Sequence, residues 1–261
     1  MKPLVKIAMP AIIVVSQGCA TYGRISGTPL DDQKSVYKDG RKTLVSVKQS
    51  TVAIAPETDT VTSGQRGNFI IAVNNGTNRE IVFSTDNVTA YSNTNGQSLA
   101  LKVFSYDELV AEEKKRQAWV TAAAVLQGLT DSMNAANAGY SHTYGTYSGS
   151  AYSSYGTGTY GYGTYSSTTY NPAAAQAAQN AARANSEARF ARLRNEGKAN
   201  LSSLSSRILK KETIFPGAWH SGIVKVELPN VSDQPQVIKF MVNLGGEIHE
   251  FRFTQEKVKS K

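Results

Sequence analysis

The strand pattern of this chain is cut in two, and neither part can close a fold alone. From Thr43 to Ser105 apolar residues alternate with polar ones: Val45 and Val47, Val52 and Ile54, then Phe69, Ile71 and Val73. Asn74-Asn75-Gly76 signals a turn, and Ile81 with Phe83 begins the next run. Val88, Leu99, Leu101 and Val103 continue it around Asn95-Gly96, a hairpin signal. Strand alternation then vanishes for about a hundred residues. It returns as Val224, Val226 and Leu228, then Ile238, Phe240, Val242 and Leu244, then Gly245-Gly246, Phe251 and Phe253. The C-terminal block alone would expose an apolar face and open edges. Together, residues 43–105 and 212–255 supply about nine short strands, the size and spacing of an immunoglobulin-like sandwich. The expected fold is therefore mainly β with an α insertion. It is a discontinuous immunoglobulin-like β-sandwich interrupted by a long antiparallel helical hairpin at 106–211.

The insertion reads as helix at both ends. Ser105 and Glu108 have capping-box spacing, and Asp107, Glu108, Glu112 and Glu113 suit a helix N-terminus. Trp119, Ala122, Leu126, Leu129, Met133 and Ala136 recur at alternating steps of three and four, the spacing of a helix seam. This predicts a helix from about 106 to 137, roughly 48 Å long. Asn171-Pro172 is a cap followed by proline at the first helical position. Phe190, Leu193, Gly197, Leu201, Leu204 and Ile208 form a second seam, and Pro216-Gly217 prevents its continuation. Gly197 on that seam predicts close approach of the helices beneath a large partner such as Trp119.

Between the helices, from Ser132 to Ala182, there is no Asp, Glu, Lys or Arg. Nine of the thirteen tyrosines lie between Tyr140 and Tyr170, interleaved with Gly, Ser and Thr. Residues 139–171 are expected to form a low-complexity tip without a fixed fold. Tyrosine offers flat, adhesive ring faces, and no charge opposes association. Tyr144, Tyr147, Tyr152, Tyr155, Tyr160, Tyr162 and Tyr165 are thus a candidate contact surface. The alternative is a flexible loop with no specific contact.

The N-terminus carries an address. Lys2 and Lys6 precede a mostly apolar run, Ile7 to Val15, too short to span a bilayer. The run ends near Cys19, the chain's one cysteine, which excludes an intrachain disulfide. Residues 1–18 resemble a bacterial lipoprotein signal, in which cleavage before the cysteine precedes its acylation. Cys19 is then the lipid-attachment residue, and Ala20 after it suggests the outer membrane. Ser16 and Gln17 depart from the usual pattern, and an ordinary secretory signal cut after Ala20 stays open. Thr21 to Lys42 lacks sustained periodicity, so residues 19–42 read as a tether.

Composition narrows the chemistry. The net charge of +8 is concentrated between Arg183 and Lys211, where eight basic residues face two glutamates. A solvated helix face paired with nearby acids is the favoured reading, beside a face for anionic lipid headgroups or lipopolysaccharide phosphates. A nucleic-acid groove is not expected, because the tyrosines and the basic residues occupy separate segments. Gly156, Gly158 and Gly161 match a dinucleotide fingerprint in a place where glycine recurs every few residues, without the flanking strand and helix. Of the three histidines, His142 lies in the tyrosine tract, His220 follows Trp219, and His249 alternates in phase with Phe251 and Phe253. His249 reads as a structural histidine facing the core or its rim. Glu247 and Glu250 flank it, but no second histidine stands at metal-ligand spacing. No nucleophile motif and no paired catalytic carboxylates stand out. No cofactor, metal site or nucleic-acid partner is expected.

Three runs carry a resemblance: YDELVAEEKKRQAW at Tyr106 to Trp119, YNPAAAQAAQNAA at Tyr170 to Ala182, and IFPGAWHSGIVKVELP at Ile214 to Pro229. They resemble uncharacterised envelope lipoproteins of Gram-negative bacteria, most of the mature chain being covered. The resemblance implies the address and the fold, and implies no catalytic residue. The expected function is that of a non-enzymatic lipoprotein of the outer membrane, a structural or interaction module of the envelope. Its partners would be the membrane through the lipid, and an envelope protein, a glycan or its own kind through the tip. Three alternatives stand beside it. One is a glycan- or peptidoglycan-binding module with Trp219 as a stacking platform. Another is an envelope hydrolase with an unrecognised site, for which His220, His249 and Glu247 are the residues to scan. The last has the hairpin assembling into an oligomer.

Overall fold

The computed structural model describes residues 21–38, 40–94, 97–152, 154–156 and 158–258. The signal segment and Cys19 lie outside the described residues. The described chain is mainly β with two helices, and it divides into two compact units. One joins the N-terminal part, up to Tyr106, to the C-terminal part from Arg207; the other is Asp107–Ser206.

The first unit contains two six-stranded antiparallel sheets. One sheet orders β5 (Thr60–Thr62), β1 (Tyr22–Thr28), β16 (Glu247–Lys257), β15 (Gln236–Leu244), β8 (Val88–Thr94) and β9 (Gln97–Leu101). The other orders β10 (Val103–Phe104), β14 (Trp219–Glu227), β6 (Arg66–Asn74), β4 (Thr51–Pro56), β3 (Arg41–Val47) and β2 (Gln33–Lys38). A short pair, β7 (Ile81–Phe83) with β13 (Glu212–Ile214), completes the unit. Both strand blocks thus enter the same sheets: β14 pairs with β6 along its full length, and β15 pairs with β8.

One core joins the inner faces of both sheets. Phe69 of β6 meets Phe240 of β15 and Phe253 of β16, with ring centroids 4.5 and 5.3 Å apart, and all three are fully buried. Val52, Ile54, Ile71, Val73 and Val224 from one sheet and Ile238, Val242 and Phe251 from the other fill the space around them. The expected glycine turn is present: Gly245 and Gly246 both have positive φ, as a two-residue hairpin turn requires. The β8–β9 hairpin also forms, with Thr94 opposite Gln97; Asn95 and Gly96 lie outside the described residues.

Two expectations need correction. The segment from Thr21 to Lys42 is not a tether. β1 pairs with β16 from Gly23 to Thr28 and with β5, and β2 pairs with β3. The inward positions of β1 are Gly23, Ile25 and Gly27, so two of three have no apolar side chain to show a period. Their space is filled from elsewhere. A Cβ at Gly23 would lie 2.8 Å from Val231, and one at Gly27 would lie 3.1 Å from Leu44 and Phe253. The tip is likewise no irregular loop. Residues Tyr140–Tyr152 (β11) and Gly158–Tyr170 (β12) form a regular antiparallel ribbon.

The second unit carries that ribbon between α1 (Tyr106–Asn137) and α2 (Pro172–Arg207). α2 starts as expected, with Asn171 Oδ1 accepting from the Ala174 N–H at 3.1 Å. The helices pair in antiparallel order. Glu113 Oε1 accepts from Asn200, Gln117 Nε2 donates to the Gly197 carbonyl at 3.1 Å, and Asp131 meets Arg189 at 2.9 Å. On α2 the expected seam does face inward: Gly197 is buried, and Phe190, Leu193, Leu201 and Leu204 are partly buried. On α1 the inward stripe is a different one, running through Glu113, Gln117, Val120, Ala124, Gly128, Asp131 and Ala135. Trp119 is exposed, and the side chain over Gly197 is Gln117. Among the described residues no helix is long and apolar enough to cross a membrane.

Candidate functional sites

The ribbon sorts its tyrosines by register. Directly paired residues share a face, and successive residues along a strand face opposite ways. The register Tyr140↔Tyr170 through Tyr152↔Gly158 therefore puts Tyr140, Tyr144, Tyr152, Tyr160, Tyr162 and Tyr170 on one face. Only Tyr147 and Tyr165 fall on the other. On both faces most rings lie opposite a small residue: Tyr144 opposite Ser166, Tyr160 opposite Ser150, Tyr162 opposite Ser148. Tyr147 lies over Gly163, where an added Cβ would come within 2.6 Å of its ring, and Tyr165 covers Gly145 in the same way. These glycines are occupied by rings, which is why the tract folds despite its composition. Tyr140 and Tyr170 close the end of the ribbon nearest the helices with centroids 4.8 Å apart.

The predicted contact tyrosines are therefore not one cluster. Tyr144, Tyr152, Tyr160 and Tyr162 stand together on the rich face, all strongly exposed; Tyr147 and Tyr165 stand behind; Tyr155 lies beyond the strand ends. Tyr140 and Tyr170 join the rich face, and only the pairing register could have added them. A two-stranded ribbon also has two free edges, each offering unpaired backbone groups along thirteen residues, with no charged side chain to block an added strand.

Trp219 stands apart, in the sheet unit, at one end of a trough of about 520 Å³. The trough lies on the outer face of the β2–β3–β4–β6–β14 sheet. Its floor is Val45, Ala53, Ala55, Ile70 and Ala72, where an antiparallel sheet usually presents polar side chains to water. The three alanines of the floor make the depression, and the Trp219 ring, 63% exposed, walls it. Lys38 and Arg41 line the far end, near the β2–β3 turn, and Arg41 Nε donates to the Glu57 carbonyl at 3.1 Å. Trp219 was legible as an exposed aromatic; the trough needed the pairing of five strands.

The histidines fall into structural settings. His249 is fully buried, and its Nδ1 lies 3.0 Å from Ser46 Oγ, itself buried. Burial holds the imidazole below its usual pKa, with the nearby Lys48 ammonium adding to the effect. Glu247 lies 3.9 Å from His249 Nε2. Partial burial raises the Glu247 carboxyl, but the backbone N–H groups of Ser50 and Gln49, at 2.8 and 3.1 Å, outweigh it and keep the group anionic. Serine, histidine and acid thus meet, but Ser46 and His249 are sealed in the interior, where a substrate cannot reach the hydroxyl. His220 pairs instead with Glu212, at 3.0 Å. His142 sits on the ribbon with Nδ1 2.9 Å from Thr168 Oγ1. Among the described residues, no group of three or more His, Cys, Asp or Glu is placed to hold a metal ion.

The basic residues of α2 are partly engaged: Arg189 with Asp131, Arg192 with Glu196, and Arg207 with Glu57. No family model, curated protein or solved structure matches the chain.

Proposed function

We propose that this chain is a non-catalytic, lipid-anchored module of the outer membrane. Its sheet unit, an immunoglobulin-like sandwich, carries a helical hairpin whose tyrosine ribbon makes the contact. The observation that carries this reading is the sorting of six tyrosines onto one face of an uncharged ribbon. Flat rings on a stiff, repetitive support favour flat or repetitive partners: sugar rings of an envelope polymer, an extended backbone, or another ribbon. Each ring contributes little, and six in an array act through multivalency. The lone Cys19 after a short apolar run supports the anchor.

The test has two arms. Tyr144, Tyr152, Tyr160 and Tyr162 changed to serine should abolish retention on purified peptidoglycan and outer-membrane fragments while helix content is kept. Unchanged retention sinks the contact role. Fatty-acid labelling should disappear in Cys19→Ser; equal labelling removes the anchor.

A second reading rests on the Trp219 trough. An apolar floor and an aromatic wall suit the C–H face of a sugar or a hydrocarbon chain better than a polar ligand. Trp219→Ala abolishing sugar binding, with the serine ribbon variant harmless, would favour it.

A further inference from the structure

We propose that the outward stripe of α1 is a two-fold, antiparallel docking surface for a second copy of this chain. The stripe is Trp119, Ala122, Leu126, Leu129, Met133 and Ala136. Its large members are 69, 66, 59 and 70% exposed for Trp119, Leu126, Leu129 and Met133. Steps of three and four average 3.5 residues, the repeat that keeps one helix face against another helix. α2 already packs on the Gln117–Ala124–Asp131 stripe, so among the described residues this second face has no helix against it.

The series is self-complementary when reversed. With Leu126 set against the copy's Leu129, Trp119 falls opposite the copy's Ala136, and Met133 opposite its Ala122. Large meets small in both outer layers, and leucine meets leucine at the centre. A contact between identical surfaces about a two-fold axis requires this reciprocity. A parallel pairing would stack Trp119 on Trp119 and leave Ala122 facing Ala122, crowding one layer and hollowing the next.

Charge agrees. Along α1 the residues flanking the stripe are Ala118, Ala123, Val125, Thr130, Ser132 and Asn137, none of them ionisable. The α2 residues that share a groove with Leu129 include one cation, Arg183, and one anion, Glu187, which carry no net charge together. Asp131 is the one charged residue between Trp119 and Ala182, and it is turned to Arg189 within the chain. The excess positive charge of the chain lies mostly between Arg183 and Lys211, so this α1 face meets its own copy without a run of like charge.

Sedimentation of the full chain should show a concentration-dependent dimer. Leu126→Glu with Leu129→Glu alters residues exposed in the single chain, so helix content should hold. The dimer dissociation constant should rise by at least about 100-fold. Tyr144→Ser with Tyr162→Ser should leave it unchanged, which separates this surface from the ribbon. In a Cys19→Ser background, chains carrying Ala122→Cys mixed with chains carrying Met133→Cys should form a disulfide-linked dimer on mild oxidation. Neither should do so alone. A wild-type monomer at every concentration overturns the proposal, as does a dimer indifferent to the glutamates. Cross-linking of Ala122→Cys to itself overturns the antiparallel register. A monomer that floats with anionic vesicles only while Leu126 and Leu129 are intact would assign the stripe to a membrane surface instead.

Discussion

Phe240 and Leu129 are both large apolar residues on regular elements, yet the first is fully buried and the second 59% exposed. The sheet unit hides its largest side chains: phenylalanines from both sheets meet in one core. The hairpin does the reverse. Between its helices it places Gln117, Gly197, Asp131 and Arg189 beside the partly buried leucines of α2, and α1 turns Trp119, Leu126, Leu129 and Met133 outward. The sheet unit is thus held by apolar burial, which is non-directional and strong per residue. The hairpin combines a thin seam of partly buried apolar residues with directional hydrogen bonds and ion pairs of modest strength.

The sharpest way to break this comparison is truncation in each unit. Phe240→Ala should cost the sheet unit about 3–5 kcal/mol in urea denaturation followed by near-ultraviolet circular dichroism. Leu129→Ala should change hairpin stability by no more than about 0.5 kcal/mol at dilute protein. A cost for Leu129→Ala comparable to that of Phe240→Ala would mean the hairpin has a buried apolar core after all.

Asn75→Ala asks whether polar burial also matters in the sheet unit. The Asn75 side chain is fully buried, donates to the carbonyls of Arg79 at 2.7 Å and Ile214 at 2.9 Å, and accepts from the Thr77 N–H. Its loss orphans these groups and should cost about 2–3 kcal/mol.

Acid should separate the units. His249 is held below its usual pKa of 6.5 by burial, so below that value the unfolded chain takes up a proton that the folded one refuses. The sheet unit's stability is therefore full above 6.5 and declines as pH falls through it. In the hairpin, Glu113 is lowered from 4.5 to about 2, first by the Arg116 guanidinium and also by Gln117 and Asn200, against an upward push from burial. Its contribution is full above 4.5 and is lost as pH falls from there to about 2. Urea titrations at neutral pH, about pH 5 and about pH 3 should weaken the sheet unit first. Glu113→Gln should flatten only the hairpin's low-pH loss.

The smallest expected effect lies in the ribbon. Gly163→Ala would push the Tyr147 ring from its seat, and amide exchange of the paired strands should speed up by about fivefold, near 1 kcal/mol. Slower exchange would show that strand propensity outweighs the ring's seat.

Much of the sheet unit was legible because its inward residues are Val, Ile and Phe at period two. β1 was not, because Gly23 and Gly27 occupy inward positions and the filling atoms belong to Val231, Leu44 and Phe253, distant in sequence. The ribbon was hidden for a related reason: Gly163 and Gly145 look like breakers until rings are placed over them. On α2 the seam matched the packed face. On α1 it did not, since periodicity reports that a helix face wants an apolar partner and is silent on which chain supplies it. Of the candidate site residues, exposure of the tyrosines and Trp219 could be read from composition. The division into faces and the trough could not, because both depend on register across strands.

β1 begins at Tyr22, three residues past Cys19. Three extended residues reach at most about 10 Å. Under the proposed acylation the anchor is then a mooring, and the sheet unit has almost no slack with which to tumble. Its β1 end would stay at the level of the lipid headgroups, so the unit would show the membrane one constant aspect and the opposite side would always look away. Inserting a flexible spacer between Ala20 and Tyr22 would restore free rotation while leaving every strand pair intact.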